Sequence, residues 1–299
     1  MNELPLNAYA VTELPEGRNS GRFVYKVSDG MELAFYLVQP TKKIYDRSPL
    51  IISVLGGGWT HYEVPESHYW YLPQGPQLLE EGFAAITVSY RGYDHGEQMP
   101  DVVGDVMDAL GYIALHNDVF EIDLERIIPM GQSAGGHMSL LLTLAPYELL
   151  IKRCVHAPFP FRCVGTVAIV PPTMFWPDEK TGRQLFPTWY EQTPGELMGD
   201  LFGGNYSVNP KPFHDYSPLT YVRKDMPPVL LCGADRDWVC HPDHSLNFHK
   251  ASVREQGDCE LFMLHNAGHS FESISGPVIP DPMVVYGRMF EFICGLIKK

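Results

Sequence analysis

Three groups of residues in this chain have types and spacing that could do chemistry: a serine set among glycines, a late histidine and carboxylate, and an early run of three glycines. The serine is Ser133, in Gly131-Gln132-Ser133-Ala134-Gly135-Gly136-His137. An alcohol is a weak nucleophile until a base takes its proton, and that base needs an acid to orient it. Where such a serine joins a strand directly to a helix, the flanking glycines remove side chains that the sharp turn could not admit. The hydroxyl is then pushed out at the top of a sheet. The dipole of the following helix favours negative charge that develops there. The chemistry so arranged is acyl transfer through a covalent intermediate.

On an open parallel sheet the base and acid are expected on loops after later strands, in the order Ser, Asp, His. After the apolar run 229–231 come Asp235 and Asp237, and after 261–264 come His265 and His269. His269, beside Gly268 and just past a strand end, is the expected general base; His265 stands where the strand is only ending. Asp237 falls at the expected loop position, and Asp235 is read as a turn former or a partner of Arg236. Oxyanion donors are expected from the N–H of Ala134 and from Gly56-Gly57-Gly58-Trp59, because glycines let backbone amides approach a substrate oxygen closely. No Gly-Lys-Ser/Thr follows those glycines, which removes a phosphate-binding loop. His241, His244 and His249 have zinc-like spacing but no second cluster, and are expected on a solvated helix face. Asp101, Asp105 and Asp108 read as a helix cap and a solvated face. No metal and no cofactor is expected.

The elements that must position these residues follow from periodicity. A hairpin is expected over 21–39, turning at Asp29-Gly30, and buried strands over 50–55, 83–89, 126–128, 164–170, 229–232 and 260–264. Helices are expected over 67–81, from a cap near Asp101 with Val103, Val106, Leu110 and Ile113 on one face, over 138–145, over 242–256 and over 282–296. Pro129 falls inside the strand that carries the serine and must sit where its missing N–H would have had no partner. Residues 171–214, rich in Pro, Gly and aromatics, break the alternation and read as an insertion folded over the sheet edge. The chain is thus expected to be one α/β domain spanning 1–299, with a mostly parallel, three-layer sheet.

Bulk composition narrows the partners. With 299 residues, 45% apolar and 19% charged, the chain can bury a large core in a single domain. A net charge of −14 argues against nucleic acid and anionic membranes as partners. The six cysteines are scattered, several in apolar runs, and read as buried thiols rather than disulfides. No signal-like N-terminus or long apolar run is visible, so a cytoplasmic location is expected.

Taken together these residues resemble the α/β-hydrolase superfamily, in its esterase branch of hormone-sensitive-lipase-like and acetyl-esterase/feruloyl-esterase-like enzymes. The resemblance is carried by Leu55-Gly56-Gly57-Gly58-Trp59, Ser89-Tyr90-Arg91, 122–127, Gly131 to His137, Tyr216-Ser217-Pro218-Leu219, Asp237 and Gly268-His269-Ser270-Phe271. It implies an α/β-hydrolase fold with a small cap, Ser133 as nucleophile, His269 as base, Asp237 as orienter, and Gly57, Gly58 and Ala134 as oxyanion donors. The family usually has histidine where Leu55 stands, and often an acid where Gln132 stands. The expected activity is a serine carboxylesterase acting on short-chain acyl esters, acetylated carbohydrates among them. The alternatives are an arylformamidase-like amidase or peptidase using the same triad, or a non-catalytic binding protein on the same scaffold. A pocket roof is expected from Trp59, His61, Tyr62, Phe175, Trp176 and Trp189, with Trp59, His61 and Trp176 as substrate contacts. The expected partner is a small-molecule ester, with no nucleic acid and no membrane, and self-association into a homo-oligomer is left open.

Overall fold

Residues 8–177 and 194–298 are described by the computed structural model. The chain opens with β1 (Ala8–Ala10), β2 (Gly21–Ser28) and β3 (Met31–Val38), paired antiparallel. Asp29 and Gly30 join the last two with φ of 49° and 81°, the positive pair that a tight hairpin turn requires. The remaining strands are β4 (Ser48–Val54), β5 (Ala84–Val88), β6 (Ile122–Gln132), β7 (Thr166–Ile169), β8 (Val229–Ala234) and β9 (Cys259–Leu264). All nine form one sheet in the order β1-β2-β3-β5-β4-β6-β7-β8-β9, parallel from β5 through β9. The order reverses around β4, the kind of switch point outside which open α/β sheets place their sites.

Helices cover both faces. In chain order they are α1 (Gly75–Glu80), α2 (Met99–Leu115), α3 (Asn117–Phe120), α4 (Ala134–Leu144), α5 (Tyr147–Leu150), α6 (Pro194–Phe202), α7 (Lys211–Asp215), α8 (Asp243–Glu255) and α9 (Pro282–Ile297). Alternation along β4 shows the two faces: Leu50, Ile52 and Val54 pack with Val103, Val106 and Leu110 of α2, whereas Ile51 packs with Leu78 of α1 and Met289 of α9. On the α2 side, Leu140 and Leu144 of α4 and Phe248 of α8 cover Ala168, Val229 and Leu231. These strands are buried on both sides, which is why they read as continuous apolar runs. Among the described residues no helix is long and apolar enough to cross a membrane. All six cysteines are free.

Pro129 sits where it was required to sit. β7 pairs with β6 from Met130 onward, and upstream there is an isolated bridge between Ile127 and Cys163. Pro129 falls in the gap between them, and its carbonyl is taken by Thr166 Oγ1 at 2.9 Å.

Three local expectations need correction. The helix expected over 67–81 shrinks to Gly75–Glu80. Its first half is drawn into bonds with the sheet instead: the His68 ring lies 3.0 Å from Thr87 Oγ1 and 3.3 Å from Ser53 Oγ, and Tyr71 Oη donates to the Val54 carbonyl at 2.6 Å. Pro73 also disfavours helical backbone at Leu72. Second, Asp105 and Asp108 are fully buried rather than solvated; Lys26 Nζ meets them at 2.6 and 2.9 Å. Only the cap survives of that reading, as a capping box between Gln98 and Asp101. Third, His244 is buried rather than solvated, its Nδ1 accepting from the Thr173 N–H at 3.2 Å.

Candidate active site

The nucleophile elbow is built by close packing that only glycine allows. Ser133 follows directly on β6 and precedes α4, with φ 56° and ψ −124°. Such a backbone is strained for any residue but glycine, and is held only when its surroundings over-determine it. Those surroundings are visible here. A Cβ on Gly131 would run into the Gly135 backbone, one on Gly135 into the Val54 carbonyl, and one on Gly136 would lie 2.9 Å from the Gly131 oxygen. The Ser133 N–H is fixed on the Ile169 carbonyl at 2.8 Å. Ala134 opens α4 and is buried, so its N–H belongs to the first turn, which has no intrahelical acceptor.

The histidine and its acid arrive from the ends of β9 and β8. His269 Nδ1 lies 2.7 Å from Asp237 Oδ2, and the two side chains are 16% and 1% exposed. The other carboxylate oxygen of Asp237 accepts from the N–H groups of Val239 and Cys240, both at 2.8 Å. With Nδ1 donating to the carboxylate, Nε2 is the ring nitrogen able to accept a proton. The two loops are tied by the Arg236 N–H on the Ala267 carbonyl at 3.0 Å and the Asp235 N–H on the Leu264 carbonyl at 2.9 Å. Beside Asp237 the thiol of Cys240 is pushed well up by burial and then by the Asp237 charge. A second pair, His265 and Asp235, sits 3.2 Å apart with side chains 64% and 30% exposed. Asp235 stands in the turn after β8, as one of its two expected roles has it, and its carboxylate faces His265 rather than Arg236.

Ser133 and His269 line one cavity of about 420 Å³, together with Gly56, Gly57, Tyr62, Glu63, Tyr69, Tyr71 and Gln132. Leu55, Gly56 and Gly57 form one wall, and the loop runs on with Gly57, Gly58 and Trp59 at φ of 103°, 65° and 61°. In place of a histidine before the glycines, neighbouring hydroxyls hold the loop. Tyr90 Oη donates to the Leu55 carbonyl at 2.7 Å, and Thr60 Oγ1 to the Gly57 carbonyl at 2.6 Å. Trp59 Nε1 donates to His137 Nδ1 at 3.1 Å, and His137 Nε2 donates to the Tyr216 carbonyl at 2.7 Å. Burial pushes the His137 imidazole down to about 3, so it stays neutral and can use one nitrogen as acceptor and one as donor. Among the described residues no group of three or more His, Cys, Asp or Glu is placed to hold a metal ion.

The expected substrate contacts lie elsewhere. Trp59 is 1% exposed and packs edge-on against Phe175 in the core. His61 turns its ring onto the Tyr90 carbonyl at 2.7 Å, and Trp176 stacks on His214. None of the three lines the cavity, and neither do Gly58 or Ala134, whereas Gly57 does. Trp189 lies outside the described residues. Tyr69, Tyr71 and Gln132 were missed. All three also line a neighbouring cavity of about 490 Å³ with Trp70, Phe271 and Tyr286. The run Tyr69-Trp70-Tyr71 was the available signal, obscured by reading that stretch as helix.

Comparison with known proteins points to esterases. The chain is 26% identical to Esterase LipC of Mycobacterium tuberculosis over 242 residues, covering 79% of this chain and 55% of that protein. It is 24% identical to an acetylxylan esterase of Xylanibacter ruminicola over 74% of this chain and 40% of the relative. The chain therefore spans about half the length, or less, of these curated relatives. Among solved structures, a propionate-bound thermophilic esterase from Thermogutta terrifontis superposes with a TM-score of 0.67 at 22% identity, covering 93% of each chain. A truncated carbohydrate esterase from gut microbiota superposes with a TM-score of 0.67 at 18% identity, covering 90% of this chain and 91% of that one. At those identities the likeness is one of fold, the α/β-hydrolase architecture. The BD-FAE family model matches residues 35–251, most of the chain including the elbow and Asp237, and the protein belongs to that family.

Proposed function

We propose that this chain is a serine carboxylesterase that hydrolyses short acyl esters, acetylated carbohydrates among them, through an acyl-enzyme. The observation that carries the reading is the convergence of two groups on one cavity: Ser133 on its strained elbow, and His269 held at 2.7 Å by a buried carboxylate. Ser133 Oγ attacks the ester carbonyl while His269 Nε2 takes its proton. Asp237 keeps Nδ1–H oriented and stabilises the imidazolium. The tetrahedral oxyanion is received by the N–H groups of Ala134, Gly57 and Gly58, each such donor typically worth about 10²–10³ in rate. Collapse expels the alcohol, which takes the proton from His269, and water activated by the same imidazole releases the acid. The curated relatives named as esterases, one an acetylxylan esterase, support the ester and carbohydrate parts of this reading.

Residues 171–214 are assigned the role of a small cap within the same domain. Phe175 meets Trp59 at 5.7 Å between ring centroids and Phe202 at 5.0 Å, so the insertion is rooted against the glycine loop. The decisive experiment is turnover of p-nitrophenyl acetate by Ser133→Ala. A folded variant with activity lowered by several orders of magnitude is expected. Turnover largely intact would remove Ser133 as nucleophile. A nitrophenyl series of increasing acyl length, followed by acetylated sugars and a formyl amide, then fixes chain length and separates ester from amide preference.

A further inference from the structure

We propose that Gln132 is a positioning residue for the general base: its side-chain amide grips the backbone carbonyl of His269 and sets where the imidazole stands relative to Ser133. The inference rests on the triad reading above. Gln132 Nε2 donates to the His269 oxygen at 2.8 Å, across 137 residues of sequence. Gln132 immediately precedes the nucleophile and ends the strand whose elbow is locked by close backbone packing. The amide is therefore a strut of fixed reach from the strand carrying the serine to the loop carrying the base.

The other bonds on that loop cannot do this. Gly268 N–H to the Glu272 carbonyl at 2.9 Å and Phe271 N–H to the Gly268 carbonyl at 3.0 Å shape the turn internally. Asp237 orients the ring but comes from the end of β8, not from the serine's own strand. Chemistry also dictates the residue type. A carbonyl only accepts, so the group facing it must donate; an amide donates at every pH, a carboxyl only while protonated, and a thioether never. The titratable groups facing the two cavities that Gln132 borders are His269, Glu63, Tyr62, Tyr69, Tyr71 and Tyr286.

The test is a pH series of steady-state kinetics on three proteins. Gln132→Met keeps the length and removes the donor; kcat is expected to fall about 10-fold with KM within about twofold, since misplacement of about 1 Å can cost up to about 10² in rate. Gln132→Glu, compared with wild type at the same pH, is expected to keep nearly all of the wild-type kcat while its carboxyl is protonated, and its ratio to wild type is expected to fall with rising pH to the Gln132→Met ratio and stay there. The ratio of Gln132→Met to wild type does not change with pH. A carboxylate acting merely through its charge would move the rising limb to higher pH, so its ratio to wild type would recover to near one on the alkaline plateau, and that outcome overturns the strut. So does a folded Gln132→Met with kcat within twofold of wild type. If Gln132→Met does not fold, the isosteric Gln132→Glu, read against wild type across pH, decides alone. Ser133→Ala separates the two layers: lost turnover there with intact Gln132→Met sinks the strut and spares the triad, and retained turnover sinks both.

Discussion

Two histidine–aspartate pairs stand on the same two loops, and their difference shows what burial and backbone donors do to such a pair. Asp237 and His269 are 32 residues apart in sequence, and Asp235 and His265 are 30 apart. The same residue types and nearly the same spacing give opposite environments. The first pair is 1% and 16% exposed at 2.7 Å, with two backbone donors fixing the carboxylate. The second is 30% and 64% exposed at 3.2 Å, and among the described residues Asp235 Oδ1 is buried without a hydrogen-bond partner. In water an ion pair gains little and is screened, whereas a desolvated and preorganised one holds its geometry through the reaction. Spacing nominates a pair; burial and backbone donors select it. The largest expected effect follows directly. Asp237→Asn should lower kcat by about 10⁴, and His269→Ala by a similar factor, while Asp235→Asn and His265→Ala stay within about twofold of wild type. Comparable losses from both pairs in a nitrophenyl ester assay would erase the distinction.

The buried ionic cluster beneath the loop after β5 extends the contrast to stability. Lys26 bridges Asp105 and Asp108, while Arg91 places Nε and Nη2 on Asp105 at 2.8 and 2.9 Å and Nη1 on Glu97 at 2.6 Å. Burial alone would raise both aspartates. At Asp105 the charges of Lys26 and Arg91 overcome it and hold the carboxyl below its ordinary value; at Asp108 burial prevails and the carboxyl is raised. Lys26→Met leaves buried carboxylates short of a cation and should cost about 3–5 kcal/mol of unfolding free energy. Urea titration checks this, and a loss under about 1 kcal/mol would mean the cluster is hydrated in solution.

How much of this was legible in sequence depends on the range of the interaction. The strands, the elbow and the candidates Asp237 and His269 are local facts: an apolar run, a glycine pair, a loop position after a strand. The partnership of Lys26 with Asp105 and Asp108 spans 79 and 82 residues, and no periodicity along α2 announces a cation arriving from β2. The same spacing that reads as a solvated face reads equally as a charged face turned inward. Trp59 misled for the opposite reason. Its place beside the glycines suggested a pocket wall, but an indole whose N–H meets the neutral His137 is better buried than exposed. Gln132 was noticed only as a departure from an acidic position, since its carbonyl partner lies on the far side of the chain's sequence.

Two buried neutral histidines give the next effect in size. His68 and His137 are both pushed down to about 3 by burial. Between that value and the ordinary histidine range the unfolded chain binds a proton that the native state refuses. Stability is therefore complete above about pH 6.5 and is lost as pH falls through the window, each histidine contributing about 2 kcal/mol of loss by pH 5. Replacing His137 by Gln should remove about 2 kcal/mol from the difference between urea-derived stabilities at pH 7 and pH 5. An unchanged difference would show that His137 charges in the native state.

The smallest effect tests the comparison from its weak side. If exposure is what separates the pairs, Asp235 and His265 should be nearly independent of each other. A double-mutant cycle with Asp235→Asn and His265→Gln should give a coupling of about 0.2–1 kcal/mol. Salt should shrink it, because a surface pair sits within reach of the ionic atmosphere. The buried Oδ1 of Asp235 adds a sharper twist. Asn removes the charge from an oxygen buried without a partner, so Asp235→Asn alone should be neutral or slightly stabilising. A coupling of several kcal/mol that ignores salt would instead make this second pair a structural clamp on the loop that carries His269.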